Sequence, residues 1–187
     1  MKKALAFLMA AVMLMSMLTA CGNKDNADNK DNNDVNTEET DKAAADKVAA
    51  LIDAIYVQER TEETDAQCEA AKAAWDALTD AQKALVEGEE ASPDYFGLDT
   101  GDASKDDPRN QDEIGEKELL VVSFGTSFND SRVADIKSIE DALQEANPDW
   151  SVRRAFTAQI IINHIQARDG EKIDNMEQAL ERAVANG

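Results

Sequence analysis

Residues 117–170 constrain the fold most, because two strand-like apolar runs alternate there with helical patterns. The first run, residues 119–124, is almost wholly apolar and ends at Gly125, a residue that permits a sharp turn. A helical pattern follows as far as Pro148, and a second run at 151–157 leads into another helix. Strands and helices in this alternation predict an α/β class with a parallel sheet and crossover helices.

The apolar positions of these helical patterns predict which helix faces are buried. Asp174 followed by Glu177 predicts the start of a final helix. Helix by helix, the predicted buried positions are Ile136, Ile139, Leu143 and Ala146, then Ala158, Ile161, Ile162 and Ile165, then Met176, Leu180, Ala183 and Val184.

Residues 1–21 have the parts of a bacterial export signal. Two lysines follow Met1, residues 4–20 are almost wholly apolar, and Leu18-Thr19-Ala20-Cys21 resembles a lipobox. A short apolar core before small residues is typical of a signal peptide rather than a membrane-spanning helix. Lipidation of Cys21 would hold the mature protein at the outer side of the membrane, so an extracytoplasmic location is expected. The alternative is an ordinary signal peptide in which Cys21 is incidental.

Residues 22–40 are predicted to form a disordered tether. They are almost entirely Asn, Asp, Lys, Glu and Thr, with too little apolar surface to offset the entropy lost on ordering. The formal net charge is −20, and residues 22–116 hold most of it, with 27 acids and 9 bases. No basic stripe is present, which argues against a nucleic-acid partner.

Residues 41–88 are predicted to form a helical hairpin that acts as a spacer. A capping box of Thr79 and Gln82 starts its last short helix. Cys68 falls on an apolar stripe and is interpreted as a buried small hydrophobe, with a reactive thiol as the alternative. The stretch resembles helical repeats of Gram-positive surface proteins, which serve as spacers or adhesion modules. Residues 89–116, broken by prolines and glycines, are predicted to be a second linker.

Residues 117–187 resemble the N-terminal part of the anaerobic-type sirohydrochlorin cobaltochelatases. Ser-Phe-Gly-Thr-Ser at 123–127 and Arg-Ala-Phe-Thr at 154–157 carry the resemblance. It implies an incomplete flavodoxin-like, chelatase-type unit, because members of that family have two such lobes around a tetrapyrrole cleft. It also implies a lyase that inserts Co²⁺ into sirohydrochlorin, an early step of anaerobic cobalamin biosynthesis.

The resemblance places part of a tetrapyrrole pocket at the carboxyl end of the first strand, where α/β folds bind ligands. The residues there are Ser123, Gly125, Thr126 and Ser127. N–H groups at the start of the next helix would offer donors to a macrocycle carboxylate, and a turn selected only for geometry and capping is the alternative. Arg153 and Arg154 either face carboxylates of the macrocycle or mark a strand edge with solvated arginines.

The sequence predicts no catalytic residue, metal ligand or bound cofactor in this chain. Metal insertion needs a base for two pyrrole protons and ligands that hold the ion. In the resembling family, histidines and a glutamate beyond the matched region have these roles, and Co²⁺ or Fe²⁺ is a substrate of the full-length protein. His164, the single histidine, is interpreted as a solvent-side helix residue rather than a metal ligand.

Two strands and three helices cannot cover both faces of a sheet. We therefore expect an N-terminal fragment of a longer protein, inactive by itself, in which residues 117–187 fold poorly alone. The first functional hypothesis is a lipid-anchored cobaltochelatase with a tetrapyrrole substrate. The alternatives are an exported tetrapyrrole- or metal-binding lipoprotein without chelatase activity, for haem, cobalt or iron handling, and a cell-surface spacer protein. A homo-oligomer is left open.

Overall fold

A computed structural model of the chain describes residues 31–96 and 100–186. The predicted signal peptide, Cys21 and residues 22–30 of the predicted tether lie outside these residues. The described strands are β1 (Glu118–Ser123) and β2 (Ser151–Phe156). The described helices are α1 (Asp31–Ile55), α2 (Thr64–Asp76), α3 (Asp80–Lys83), a 3-10 turn (Ala103–Lys105), α4 (Asn129–Ser131), a π-helical turn (Arg132–Lys137), α5 (Ser138–Ala146), α6 (Gln159–Asp169) and α7 (Met176–Asn186).

The α/β prediction is confirmed, because β1 and β2 pair in parallel and helices connect and follow them. Residues 152–156 of β2 are buried, whereas β1 is only partly covered and Val122 is 43% exposed. The backbone at Arg109 and Asp174 accepts hydrogen bonds from the outer edge of β2. The Arg154 N–H donates to the Arg109 carbonyl at 3.2 Å, and the Phe156 N–H donates to the Asp174 carbonyl at 3.0 Å. Part of the predicted 89–116 linker thus completes this side of the sheet.

The helices at 41–88 pack directly on α6. Ile55, Cys68 and Ala71 form a buried cluster with Ala167 of α6. The Asn163 side chain adds a hydrogen bond of 2.9 Å to the Ile55 carbonyl. The hairpin and the α/β unit therefore share a core, while the spacer role stays a prediction.

Three local predictions for the hairpin compare directly with the structure. The capping box of Thr79 and Gln82 is confirmed at the start of α3. Cys68 is fully buried, and burial raises the pKa of its thiol to about 11, so the thiol stays protonated near neutral pH. By contrast, α1 begins at Asp31, inside the segment whose composition predicts disorder.

Two helix faces differ from the predicted pattern. Ile139 of α5 is 59% exposed, and Met176, Leu180 and Val184 of α7 are 44%, 52% and 87% exposed, although all four are predicted to be buried. The residue buried in their place on α5 is Glu140, which pairs with an arginine of β2. The capping pair of α7 is Asn175 with Gln178, one position later than predicted, and each side chain bonds the backbone N–H of the other.

The solvent-side interpretation of His164 is wrong. Its ring stacks on Tyr95 at 4.3 Å between centroids, and Phe96 meets it edge-on at 5.6 Å. Its Nε2 atom is buried and has no hydrogen-bond partner among the described residues. Burial, with a smaller contribution from Arg168, lowers the pKa of His164 to about 4. Residues 95 and 96 lie in the predicted linker, so the helix pattern could not reveal this cover.

The buried His164 ring should make the protein less stable in mild acid. Its pKa is about 4 when folded and 6.5 ordinarily, so the unfolded chain binds the proton first as pH falls. The free energy of unfolding begins to fall near pH 6.5 and continues to fall until about pH 4, by about 1–3 kcal/mol in total. Urea unfolding of the wild type and of His164→Phe, which keeps the stacked ring, measures it. If the free energy of unfolding changed equally in both proteins between pH 7.5 and 4.5, this expectation would be contradicted.

Candidate functional site

The carboxyl end of β1 turns sharply at Gly125. Its φ angle is +96°, a conformation that side-chain-bearing residues rarely adopt. A Cβ atom placed there would lie 2.5 Å from Cδ2 of Phe156, whose side chain is fully buried. Glycine is therefore required twice, for the backbone turn and for the approach to the neighbouring strand. This explains the geometric part of the predicted motif.

Two arginines hold the carbonyl groups of the loop 125–127. Arg168 donates to the Ser127 carbonyl at 2.7 Å, and Arg132 donates to the Thr126 carbonyl at 3.3 Å. Because C=O and the next N–H point in opposite directions across a trans peptide, the Ser127 N–H points away from Arg132. Among the described residues, this N–H donates no hydrogen bond. The loop thus presents a free backbone donor on the side opposite the arginines.

The predicted site residues Ser123, Gly125, Thr126 and Ser127 lie together at the end of β1, as their order in the chain requires. The Thr126 hydroxyl is used internally, because it accepts a hydrogen bond from the Phe128 N–H at 3.2 Å. The Ser123 Oγ atom is buried and has no hydrogen-bond partner among the described residues. Of the predicted hydroxyls, the one at position 123 therefore has no partner within the fold, but a ligand reaches it only if the loop moves and exposes it.

Two aromatic side chains beside the loop were not singled out from the sequence. Phe124 is 68% exposed and Phe128 is 53% exposed. Their backbones are fixed, because the Phe124 carbonyl accepts from Ala158 N–H at 3.3 Å and the Phe128 carbonyl accepts from Arg132 N–H at 2.9 Å. Their position on either side of Gly-Thr-Ser was the one sequence feature that could have indicated a role at this site.

The prediction of solvated arginines on β2 is wrong, because Arg153 and Arg154 are both fully buried. Arg154 makes two hydrogen bonds to each of two carboxylates, at 2.7 and 2.9 Å to Asp106 and at 2.9 and 2.7 Å to Glu140. Arg153 pairs with Asp174 at 3.2 Å on the other face of the sheet. Buried guanidinium groups need such partners to offset the loss of water. Neither arginine is free to meet a macrocycle carboxylate.

Asp106 links this buried network to the candidate site. Its side chain is fully buried and also accepts from Arg132 at 2.5 Å. Burial raises the pKa of Asp106, but hydrogen bonds from Arg154 and Arg132 outweigh it and hold the pKa below its ordinary range. Arg132 in turn holds the Thr126 carbonyl. The chain before residue 117 therefore helps to set the shape of the loop after β1.

Residues 31–96 and 100–186 contain no cluster of three or more His, Cys, Asp or Glu side chains arranged to hold a metal ion. Within the same residues, no helix has both the length and the apolar character of a membrane span.

The cobalt chelatase family (CbiK) matches residues 117–187 of the chain. The chain is also 44% identical over 72 residues to the sirohydrochlorin cobaltochelatase of Salmonella typhimurium strain LT2. The aligned stretch is 38% of this chain and spans 27% of the length of that relative. No solved structure matches the chain. The predicted resemblance is thereby confirmed for the region that contains both strands and the loop 125–127.

Proposed function

We propose that residues 117–187 belong to a cobalt chelatase-type protein and bind a carboxylate-bearing tetrapyrrole at the carboxyl end of β1. The observation that carries this proposal is the coincidence of two findings. The region matched by the cobalt chelatase family includes Ser123–Ser127, and in the structure this segment forms a sharp turn with an unused N–H at Ser127 and a buried hydroxyl without a partner at Ser123.

Charge is consistent with binding through backbone donors rather than through side-chain cations. The arginines nearest to the loop, Arg132 and Arg168, are occupied by Asp106, Glu171 and Asp169. A macrocycle carboxylate would therefore meet the Ser127 N–H, which points away from Arg132. The arginines would act indirectly, by holding the carbonyl ends of the same peptides.

In this proposal Co²⁺ is a substrate that enters the bound tetrapyrrole, as the name of the relative indicates. The loop residues have one role, which is to orient the macrocycle. Lipidation of Cys21 after export would place the protein at the outer side of the membrane. This location rests on the residues of the signal segment alone.

Binding is tested by titrating the full-length chain into sirohydrochlorin and following its absorbance. We expect saturable binding to the wild type. Binding that exposes and engages the buried Ser123 hydroxyl should be about three- to tenfold weaker in Ser123→Ala, because one hydrogen bond contributes about 0.5–1.5 kcal/mol. Ser151→Ala, at the opposite end of the sheet, is the matched control and should bind like the wild type.

Adding Co²⁺ to the complex then separates insertion from binding. A shift to the absorbance spectrum of the cobalt macrocycle supports chelatase activity in this chain. Saturable binding with no shift supports a role in holding the tetrapyrrole and contradicts insertion by this chain. No binding at all would overturn the proposed function.

A further inference from the structure

The two most exposed aromatic side chains among the described residues lie on either side of the same loop. Phe124 and Phe128 are 68% and 53% exposed, whereas the next values are 39% for Trp150 and 37% for Tyr56. Exposing an apolar ring costs free energy in proportion to its area, so two neighbouring exposed rings mark a contact surface.

Both rings are attached to backbone that is hydrogen-bonded to the rest of the fold. The peptide of Phe124 is tied to the start of α6 through Ala158, and that of Phe128 is tied to Thr126 and Arg132. Positions 124 and 128 are four residues apart, so their Cα atoms lie within about 14 Å of each other. The backbone that carries the two rings therefore loses little further freedom when a ligand binds.

We propose that Phe124 and Phe128 hold the flat apolar faces of the tetrapyrrole, while the donors of the loop between them meet its carboxylates. This inference rests on the proposed function and adds the residues that recognise the ring system itself. A conjugated macrocycle is broad and flat, with largely apolar faces and carboxylates at its rim, which matches two rings beside a backbone donor. A polypeptide segment docking on the same rings is the competing occupant.

The test uses the full-length chain and uroporphyrin, a fluorescent porphyrin with eight carboxylates. Phe124→Ala and Phe128→Ala should each raise the Kd about tenfold, which lies within the contribution of aromatic stacking to the binding of flat bases. Phe124→Leu and Phe128→Leu should also bind uroporphyrin more weakly than the wild type, whereas Phe124→Tyr and Phe128→Tyr should bind it about as tightly as the wild type. Trp150→Ala, at the amino end of β2, is the exposed-aromatic control and should leave the Kd unchanged.

Thermal unfolding of each variant checks that the fold is retained, which the exposure of both rings leads us to expect. If the wild type binds uroporphyrin and the Ala variants bind it equally well, this inference is overturned while the proposed function stands. Leu variants that bind like the wild type would also overturn it, because they would show that ring stacking is not used. If the wild type binds neither uroporphyrin nor sirohydrochlorin, the proposed function fails and this inference fails with it.

Discussion

Replacing Asp106 with alanine is expected to lower the free energy of unfolding by about 3–5 kcal/mol, the cost of leaving a buried charge without its partner. Asp106 contacts both Arg154 and Arg132, and all three side chains are fully buried. The total stability of a domain is about 5–15 kcal/mol, so this one change should remove a large part of it. Urea unfolding measured by circular dichroism gives the value directly.

Asp46→Ala is the matched control for Asp106→Ala. Asp46 pairs with Lys42 at 2.9 Å on the surface of α1, where the two side chains are 52% and 61% exposed. Such a pair contributes about 0–1 kcal/mol. Equal effects of the two substitutions would contradict the structural role of the buried network.

The stabilisation from Asp106 should also depend on pH with a definite sign. Its folded pKa is depressed, so the stabilisation is present above the ordinary aspartate pKa of about 3.9 and is lost as pH falls through the folded value. The difference between wild type and Asp106→Ala should therefore shrink in strong acid. A difference that grows on acidification would have the wrong sign.

Gly125→Ala is expected to destabilise the protein by about 2–5 kcal/mol. Positive φ costs a side-chain-bearing residue about 1–2 kcal/mol, and forcing extra volume against a packed ring costs about 1–3 kcal/mol more. Both conditions hold here, with φ at +96° and the new Cβ 2.5 Å from Phe156. The shift in the midpoint of urea unfolding measures the loss.

Gly115→Ala separates these two contributions. Gly115 also has a positive φ, +74°, but nothing lies within 4 Å of its added Cβ. It should lose only the backbone part, about 1–2 kcal/mol. Phe156→Leu should in turn reduce the penalty of Gly125→Ala in the double variant. Identical losses at positions 115 and 125 would show that contact with Phe156 does not matter.

The sequence predicted the strand-loop-helix unit well because the determinants of that unit are local. An apolar run, a glycine that can adopt positive φ and the following helical period all lie within residues 117–146. The same reasoning found the capping box of Thr79 and Gln82, whose partners are three residues apart. Local signals of this kind do not depend on the rest of the fold.

The parts that sequence reasoning missed depend on long-range pairs. Arg154 and Asp106 are 48 residues apart, and no local sequence pattern at either residue indicates that the two side chains pair. His164 was misplaced for a related reason, since its cover comes from Tyr95, outside any periodic element.

Amide hydrogen exchange of the full-length chain, with and without sirohydrochlorin, reports whether the tetrapyrrole binds at the loop after β1. We expect slower exchange at residues 123–128 when the tetrapyrrole is bound, with little change in the hairpin at 41–88. Saturable binding that leaves exchange at 123–128 unchanged, or that slows exchange only in the hairpin, would contradict the claim.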